Sequence, residues 1–257
     1  MRTSPEELEE KISYAKNKLG NKIMILGHHY QRDEVIQFAD IRGDSFKLSQ
    51  HAADSPDAEF IIFCGVHFMA ETADMLSGKN QKVILPNLTA GCSMADMAHI
   101  DDVLDCWDDL TEILGENSVI PMTYMNSTAA IKSLCGENGG IVCTSSNASA
   151  AFDWAFERGD KILFLPDQHL GRNTAVTKGV QLDEMIVWNP FKPQGGNTIE
   201  EIKNAKLILW QGHCSVHTRF TTAQIDSARE TNSEVSIVVH PECTFCLLYT
   251  SPSPRDS

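Results

Sequence analysis

Short apolar runs alternate with amphipathic segments along most of the chain. In the first round, the runs of strand length are 22–26, 59–64 and 82–85. The segments between them that show helical spacing are 34–39, 45–53 and 67–76. Continuous apolar strands separated by helices are typical of a parallel sheet covered by helices on both faces. A further helix is predicted at the N-terminus, because Ser4-Pro-Glu-Glu7 has the spacing of a capping box.

The same alternation of strand and helix returns twice. The second round has predicted strands at 118–123, 140–143 and 161–166, and the third has strands only at 206–210 and 236–239, with a helix at 222–231. This repetition predicts an α/β protein made of three small αβα domains, each Rossmann-like with a parallel sheet. The predicted domains are 1–105, 106–205 and 206–246, and the third domain is incomplete.

Two segments break this rhythm. The segment 170–204 is predicted to be a long excursion, since loops beyond about 15 residues are uncommon in compact domains. The final segment, 247–257, has no periodicity and two Ser-Pro pairs. We interpret it as a non-native tail that follows a truncation, and leave it out of the fold prediction.

The charge balance and the length of the apolar runs argue against nucleic acids and membranes as partners. The chain has 21 basic and 35 acidic residues, a net charge of −14, which argues against a nucleic-acid-binding surface. Its apolar runs are far shorter than the roughly 20 residues of a membrane-spanning helix. The first residues lack the basic start and apolar stretch of a secretory signal. We therefore predict a cytoplasmic protein with neither a membrane nor a nucleic acid as partner.

The eight cysteines are widely spaced in a large chain without a secretory signal, so a disulfide framework is not expected. Four of them are predicted to fill the core: Cys64, Cys106, Cys135 and Cys143. The chain also lacks the glycine-rich dinucleotide and triphosphate loops and the Gly-x-Ser-x-Gly elbow. Their absence argues against dehydrogenases, nucleoside triphosphatases and α/β-hydrolases.

Polar or metal-binding side chains follow almost every predicted strand. Ligands gather at the carboxyl ends of strands in open parallel sheets, because loops and helix N-termini there present unpaired N–H groups. The residues at these positions are His28, Tyr30, His67, Cys92, Tyr124, Asn126, Thr144, Ser145, Cys214, His240 and Glu242. Any one of them could form a turn, as Ser45 could cap a helix, but their recurrence at the same edge predicts a ligand site.

Cys92 and Cys214 each follow a buried strand, in loops with small or polar neighbours. One thiolate from each small domain, meeting on a pseudo-threefold axis, would hold an iron–sulfur cluster with three cysteine ligands. Such a cubane leaves one iron open to act as a Lewis acid on substrate oxygens.

A local alternative uses other spacings. Cys214-x-x-His217, together with His240-x-x-Cys243-x-x-Cys246, has spacings that a zinc site or a redox pair uses. A second alternative is an α/β binding protein without catalysis that retains affinity for small dianions.

With these residues in view, the chain resembles the quinolinate synthase family, iron–sulfur enzymes of NAD biosynthesis. The resemblance covers about residues 20–243. The motifs that carry it, in the family's order, are Gly27-His-His-Tyr-Gln31, Ala39-Asp-Ile-Arg-Gly-Asp-Ser45, Pro86-Asn-Leu-Thr-Ala-Gly-Cys-Ser-Met-Ala-Asp96, Tyr124-Met-Asn-Ser-Thr-Ala129, Cys143-Thr-Ser-Ser-Asn-Ala148, Pro166-Asp-Gln-His-Leu-Gly171, Trp210-Gln-Gly-His-Cys-Ser-Val-His217 and His240-Pro-Glu-Cys243.

The resemblance implies three αβα domains about a pseudo-threefold axis and a [4Fe-4S] cluster, with Cys92 and Cys214 as two of its three ligands. It implies condensation of iminoaspartate (iminosuccinate) with dihydroxyacetone phosphate to quinolinate, with L-aspartate oxidase as supplier of the imine. Tyr30 and Glu242 are the implied acid/base residues. The implied substrate-binding residues are His28, Ser45, Tyr124, Asn126, Ser145, His240, Pro241 and Glu242.

The sequence departs from the family in two respects. The family's third cysteine ligand and a later threonine of the substrate site lie beyond Glu242, in the part replaced here by 247–257. As written, the chain is therefore expected neither to hold a stable cluster nor to turn over. The segments 170–204 and 101–117 are longer than in shorter family members, and we interpret both as surface elaborations.

Overall fold

The structure is a computed structural model that describes residues 4–244. The tail at 247–257 and Cys246 lie outside the described residues. Contacts between Cα atoms divide the chain into two compact units, 1–92 (unit 1) and 93–257 (unit 2). The three-domain division into 1–105, 106–205 and 206–246 stays a prediction.

Unit 1 contains a four-stranded sheet with the order β2-β1-β3-β4, in which every pair is parallel. Its strands are β1 (Ile23–His28), β2 (Ile41–Gly43), β3 (Phe60–Cys64) and β4 (Lys82–Ile84). Its helices are α1 (Pro5–Leu19), α2 (Asp33–Ile36), α3 (Ser45–Ala53) and α4 (His67–Leu76). The predicted capping box at Ser4 opens α1, although no residue of that helix is buried.

Unit 2 contains a five-stranded parallel sheet with the order β6-β5-β7-β9-β8. Its strands are β5 (Val119–Tyr124), β6 (Ile141–Cys143), β7 (Lys161–Leu165), β8 (Met185–Trp188) and β9 (Leu207–Trp210). Its helices are α5 (Ile100–Leu114), α6 (Ala129–Glu137), α7 (Ala148–Phe156), α8 (Gln168–Thr177), α9 (Ile199–Asn204) and α10 (Thr222–Thr231). Both sheets are parallel throughout, which confirms the predicted α/β class of Rossmann-like units.

One apolar core cluster of unit 2 lies between its sheet and α5. Leu163 and Ile208 from the sheet are fully buried, and they belong to the same apolar cluster as Val103 and Cys106 from α5. Trp210 is also fully buried, and its indole Nε1 donates to the carbonyl of Met97 at 2.8 Å. Since a buried indole N–H without a partner is costly, this bond fixes the end of β9.

The predicted packing role is confirmed for three of the four cysteines. Cys106, Cys135 and Cys143 are buried, and burial raises the pKa of each thiol, to about 12 for Cys135 and Cys143. Cys64 is only half-buried at the end of β3. A thiol whose pKa is raised in this way is a poor nucleophile and behaves as an apolar filler.

Two predicted surface elaborations are wrong. The segment 170–204 contains most of α8, the edge strand β8 and α9, and so extends the sheet. The segment 101–117 contains most of α5, which contributes to the core. The apolar periodicity in both was helical or strand-like, and it is tertiary packing that decides whether such a segment belongs to the core.

The third round of the pattern also differs from expectation. The strand predicted at 206–210 as the start of a third domain is β9, which lies inside the second sheet between β7 and β8. The strand predicted at 236–239 is not formed, and no strand is assigned anywhere within 211–244. A strand needs a hydrogen-bonding neighbour, and β9 already has one on each side. None of the helices within 4–244 is both long enough and apolar enough to cross a membrane.

Candidate functional site

The predicted site residues fall into two groups, one in each unit. Unit 2 holds Tyr124, Asn126, Ser145, Cys214, His240, Pro241 and Glu242, and unit 1 holds His28, Tyr30, Ser45 and Cys92. In unit 2, Tyr124 ends β5, and Ser145 and Cys214 follow β6 and β9. These strands are parallel, so the residues after them emerge at the same edge of the sheet.

Glu242 is the centre of the group in unit 2. It is 3% exposed, and burial raises the pKa of its carboxyl to about 7. Its Oε2 lies 3.4 Å from Nε2 of His217, and its Oε1 lies 3.9 Å from Nδ1 of His240. The carboxylate also accepts a hydrogen bond from the hydroxyl of Tyr124, which lowers the same pKa and partly opposes burial.

Tyr124 connects this carboxyl to the loop after β6. Its side chain is buried, and burial, followed by the charge of Glu242, raises the pKa of its phenol well above the ordinary value. The hydroxyl of Ser145 forms a hydrogen bond to the phenol and acts in the opposite direction on that pKa. The turn after β5 is fixed by Met125, whose N–H donates to the carbonyl of Cys143 at 2.7 Å. Asn126, half-buried, lies in this turn.

His217 lies between the carboxylate and two thiols. Its ring stacks on that of His240 with 4.7 Å between centroids, and its Nδ1 lies 3.4 Å from Sγ of Cys243. Burial lowers the pKa of His217, so the ring is neutral near pH 7. Thr218 N–H donates to the carbonyl of Cys214 at 3.1 Å, which curls the loop so that Cys214 and His217 face the same side.

Three of these side chains form a possible metal site. One ligand atom from each of Cys214, His217 and Glu242 lies within 4.8 Å of the others. Thiolate, imidazole and carboxylate are ligands that a single zinc-type ion accepts. Sequence reasoning predicted Cys214 as a cluster ligand, His217 only in the zinc alternative, and Glu242 only as a substrate or acid/base residue. The structure brings the three together.

The loop that carries Glu242 is held by its own backbone and by α8. Cys243 N–H donates to the carbonyl of His240 at 2.8 Å, and Glu242 N–H donates to Nδ1 of His240 at 3.2 Å. Asn173, in α8, donates from Nδ2 to the carbonyls of Pro241 at 2.7 Å and Cys243 at 2.9 Å. Sequence reasoning missed Asn173, since these partners are 68 and 70 residues away.

A second carboxyl that sequence reasoning missed lies at the start of α8. Asp167 is fully buried, and its Oδ1 accepts from the N–H of Leu170 at 2.5 Å as the helix cap. Burial raises the pKa of Asp167 to about 8, and the nearby charge of Glu242 acts in the same direction. Its Oδ2 has no hydrogen-bond partner among the described residues. A protonated Asp167 at neutral pH is the state that these surroundings favour.

In unit 1, three aromatic rings cluster at the end of β1. His28 is 5% exposed and lies 4.4 Å from His29 and 4.6 Å from Tyr30 between ring centroids. Burial lowers the pKa of His28 to about 4, so this imidazole is neutral and one of its nitrogens is an acceptor. Tyr30 is 82% exposed, which leaves its hydroxyl accessible to a ligand. Ser45 is the first residue of α3, and the cap of that helix is Asp44.

Cys92 ends unit 1 as a half-buried thiol. Its loop is attached to the start of α4, because His67 N–H donates to the carbonyl of Ala90 at 2.8 Å. Two other residues at strand ends form local structure. The imidazole of His67 pairs with Glu71 one turn along α4, and the hydroxyl of Thr144 donates to Oδ1 of Asn147.

Comparison with known proteins identifies relatives along nearly the whole chain. The family model described as quinolinate synthetase A protein matches residues 10–251. A quinolinate synthase of Corynebacterium glutamicum is 61% identical over 241 residues, which cover 94% of this chain and 61% of the relative. One of Nocardioides sp. is 60% identical over 252 residues, 95% of this chain and 64% of the relative. A quinolinate synthase of Streptomyces coelicolor is 57% identical over 241 residues, which cover 93% of this chain and 61% of the relative. The chain thus spans less than two thirds of the length of these relatives.

Proposed function

Because the chain belongs to the quinolinate synthetase A protein family, we propose that its site serves the condensation of iminoaspartate with dihydroxyacetone phosphate to quinolinate, in de novo NAD biosynthesis. The observation that carries the proposal is a buried carboxyl, Glu242, with a phenol and two imidazoles around it. The relatives that suggest the activity are longer than this chain, so the proposal concerns the part of the site that these residues form.

Glu242 is proposed to be the residue that moves protons. A condensation of this kind forms a carbon–nitrogen and a carbon–carbon bond, and loses phosphate and water, so protons must leave carbon and reach departing oxygens. Burial raises the pKa of Glu242 to about 7, at which the carboxyl both accepts and donates near neutral pH. Tyr124 orients one carboxylate oxygen by donating to it. Tyr30, exposed at the end of β1, is the proposed second acid/base residue.

The remaining residues are proposed to bind the substrates' anionic groups. A dicarboxylate and a phosphate ester need several hydrogen-bond donors, and a protein of net charge −14 repels anions at long range. Attraction must therefore be local. The proposed substrate-binding residues are His28, Ser45, Tyr124, Asn126, Ser145, His240, Pro241 and Glu242.

A [4Fe-4S] cluster is the proposed cofactor, with Cys92 and Cys214 as two of its ligands. Cys214 fits this role, because its half-buried thiol lies in the loop that follows an interior strand, close to Glu242. The hydroxyls of Ser93 and Ser215, which follow the two cysteines in the sequence, lie 3.2 Å apart. When bound, such a cluster supplies an open iron as a Lewis acid. The protein's own groups hold the substrate and carry its protons.

The proposal also names a setting. The imine substrate is short-lived in water, so a supplying oxidase that acts on L-aspartate is the expected partner, and the cytoplasm is the expected compartment. A zinc or redox site built from Cys214, His217, His240, Cys243 and Cys246 remains the competing use of the same residues. The short distances from His217 to Glu242 and Cys243 are compatible with zinc, although membership of the family favours the enzyme.

The decisive experiment replaces Glu242 by glutamine in a chain extended to the length of its Corynebacterium glutamicum relative. Glutamine keeps the shape of the side chain but cannot exchange a proton. We expect anaerobic quinolinate formation to fall by about 10²- to 10⁴-fold, while cluster iron and sulfide stay unchanged. Glu157→Gln is the matched control, because Glu157 is an exposed glutamate that pairs with Arg158 on the surface. Full output from Glu242→Gln would contradict the proposal, and bound zinc without iron would favour the alternative.

A further inference from the structure

Asn173 reaches from α8 to the backbone on both sides of Glu242. The two hydrogens of its side-chain amide point to two carbonyls, that of Pro241 at 2.7 Å and that of Cys243 at 2.9 Å. These carbonyls belong to the residues immediately before and after Glu242. A single side chain therefore fixes the peptide groups that flank the site's central carboxyl.

The orientation of this amide follows from the chemistry of its partners. Only an N–H donor can face a carbonyl oxygen, so a flipped amide would place Oδ1 against two carbonyl oxygens and lose both bonds. In the orientation described, Oδ1 is buried and has no hydrogen-bond partner among the described residues. Leaving a buried acceptor unpaired is unfavourable. The two hydrogen bonds that the amide donates offset this cost and keep the side chain in its position.

The helix that carries Asn173 is itself firmly anchored. Asp167 caps α8, and the side chain of Thr174 donates to the carbonyl of Leu170 inside the helix. Leu170 and Ala175 are fully buried. Asn173 is 7% exposed, so water competes little for its two bonds. The loop that carries Glu242, by contrast, belongs to a stretch of 13 residues, 232–244, without any assigned helix or strand.

We propose that Asn173 is a positioning residue that holds the loop at 240–243 against α8 and so places the carboxyl of Glu242 among Tyr124, His217 and His240. It touches neither the carboxyl nor any of those three rings in the hydrogen bonds described, and acts on the site through the backbone alone. The structural part of this proposal stands without the enzymatic activity, and its kinetic consequence rests on the function proposed for Glu242.

Asparagine suits this task better than similar side chains. Leucine has nearly the same shape but no donor, and aspartate has the same shape but turns two acceptors toward the carbonyls. Both substitutions should release the loop without creating a cavity. Unit 2 offers a control, because Asn197, in the segment between β8 and α9, likewise donates from Nδ2 to two carbonyls, of Val187 at 3.1 Å and Gln194 at 3.3 Å.

The first test measures amide hydrogen exchange on the 257-residue chain. In Asn173→Leu and Asn173→Asp, we expect exchange in the peptide spanning 239–244 to become roughly tenfold faster, because local opening of the loop becomes easier. Asn197→Leu and Asn197→Asp should accelerate exchange near 187–197 and leave 239–244 unchanged. If the Asn173 variants keep native circular dichroism and also keep wild-type exchange at 239–244, the proposal is overturned.

The second test measures kinetics in a chain extended to the length of its Corynebacterium glutamicum relative. Misplacement of a reacting group by about 1 Å costs on the order of 100-fold in rate. We expect Asn173→Leu to lower kcat by about 10- to 100-fold with KM within about twofold of the wild type. Adding Asn173→Leu to Glu242→Gln should cause no further loss, since Asn173 acts through Glu242. A further loss equal to that of Asn173→Leu alone would overturn this route of action.

The two tests separate failure of this inference from failure of the proposed function. If Glu242→Gln retains full quinolinate output, the role proposed for Glu242 is wrong. The exchange measurement still decides whether Asn173 holds the loop, because it requires no turnover.

Discussion

Nε2 of His217 lies 3.4 Å from Oε2 of Glu242, and Nδ1 of the same ring lies 3.4 Å from Sγ of Cys243. One imidazole thus contacts a carboxylate and a thiol on opposite sides. Because burial lowers the pKa of His217, the ring is a neutral imidazole at pH 7, the form that binds metals.

The set formed by Cys214, His217 and Glu242 is expected to bind a single divalent ion when no cluster is present. We predict that His217→Ala weakens binding of Co²⁺ or Zn²⁺ by more than about tenfold, because the site loses one of three ligands. Titration by cobalt absorption, with zinc as competitor, measures this. His99→Ala is the control, since His99 is an exposed histidine beside Asp101. Equal cobalt affinity in the two variants would argue against the site.

Cluster binding is expected to depend on the thiols of Cys92 and Cys214 but not on the thiol of Cys64. After anaerobic reconstitution of a full-length chain, Cys92→Ala and Cys214→Ala should each lose most bound iron and sulfide. A cluster held by three thiolates is poorly retained when one of them is removed. Cys64→Ala is the matched control, as the thiol of Cys64 is likewise half-buried. If Cys64→Ala lost iron to the same degree as the other two, the assignment of ligands would be wrong.

Asp167 is expected to make stability depend on pH. Its pKa in the folded chain, about 8, lies above its ordinary value of 3.8, so the folded state keeps a proton that the unfolded state has released. The resulting stabilisation is complete below about pH 4 and is lost as the pH rises through 8. Between pH 6.5 and 8, the free energy of unfolding should therefore fall, by at most about 1.4 kcal/mol per pH unit for this group.

Asp167→Asn isolates this contribution, because the amide keeps an oxygen for the N–H of Leu170 and cannot titrate. Urea unfolding at several pH values should give a shallower slope for the variant than for the wild type. The range above pH 6.5 is chosen because burial lowers the pKa values of His28 and His169 to about 4, so both are neutral there. Asp160→Asn, at an exposed position, should leave the slope unchanged. An unaltered slope in Asp167→Asn would refute this account.

Gly212 is expected to tolerate no side chain. A Cβ at this position would lie 1.8 Å from the carbonyl oxygen of Pro166, so the loop that leads to Cys214 would have to move. We predict that Gly212→Ala lowers the free energy of unfolding by about 2 kcal/mol or more, as overpacking does. In Gly136→Ala, where no atom lies within 4 Å of the new Cβ near the end of α6, we expect a gain of about 0.5–1 kcal/mol. Thermal or urea unfolding compares the two, and similar losses in both would contradict the steric argument.

The regular elements of unit 1 follow closely from local pattern. Helices α3 and α4 begin and end where their apolar spacing predicted, at 45–53 and 67–76. Although β2 and β8 were not predicted and the run at 236–239 forms no strand, most strands of both sheets were also found where short apolar runs predicted them. In these cases, local propensity and burial act in the same direction, so the sequence alone was sufficient.

The errors arose where contacts across the chain decide the outcome. The apolar run of β8 was hidden within a segment that also contains a turn rich in proline and glycine, and its place at the edge of the sheet depends on β9. The run at 206–210 was predicted to begin a new domain, because nothing in a strand's own residues says which sheet it joins. In the structure it forms β9, which pairs with β7 and β8. The site shows the same limit. Tyr124 could be selected by its position at the end of β5, whereas His240 and Glu242 were selected after a predicted strand that is not formed, and by resemblance. Asn173 and Asp167 act through partners that no spacing reveals.

The order of strands in the second sheet affects the residue that follows β9. After β7, the chain first forms the edge strand β8. It then returns to form β9, which lies between β7 and β8. At this edge of the sheet, thermal fraying therefore affects β8 before β9. The thiol of Cys214 lies in the loop that follows a strand with hydrogen-bonded neighbours on either side, so fraying at that edge of the sheet leaves the start of this loop in place.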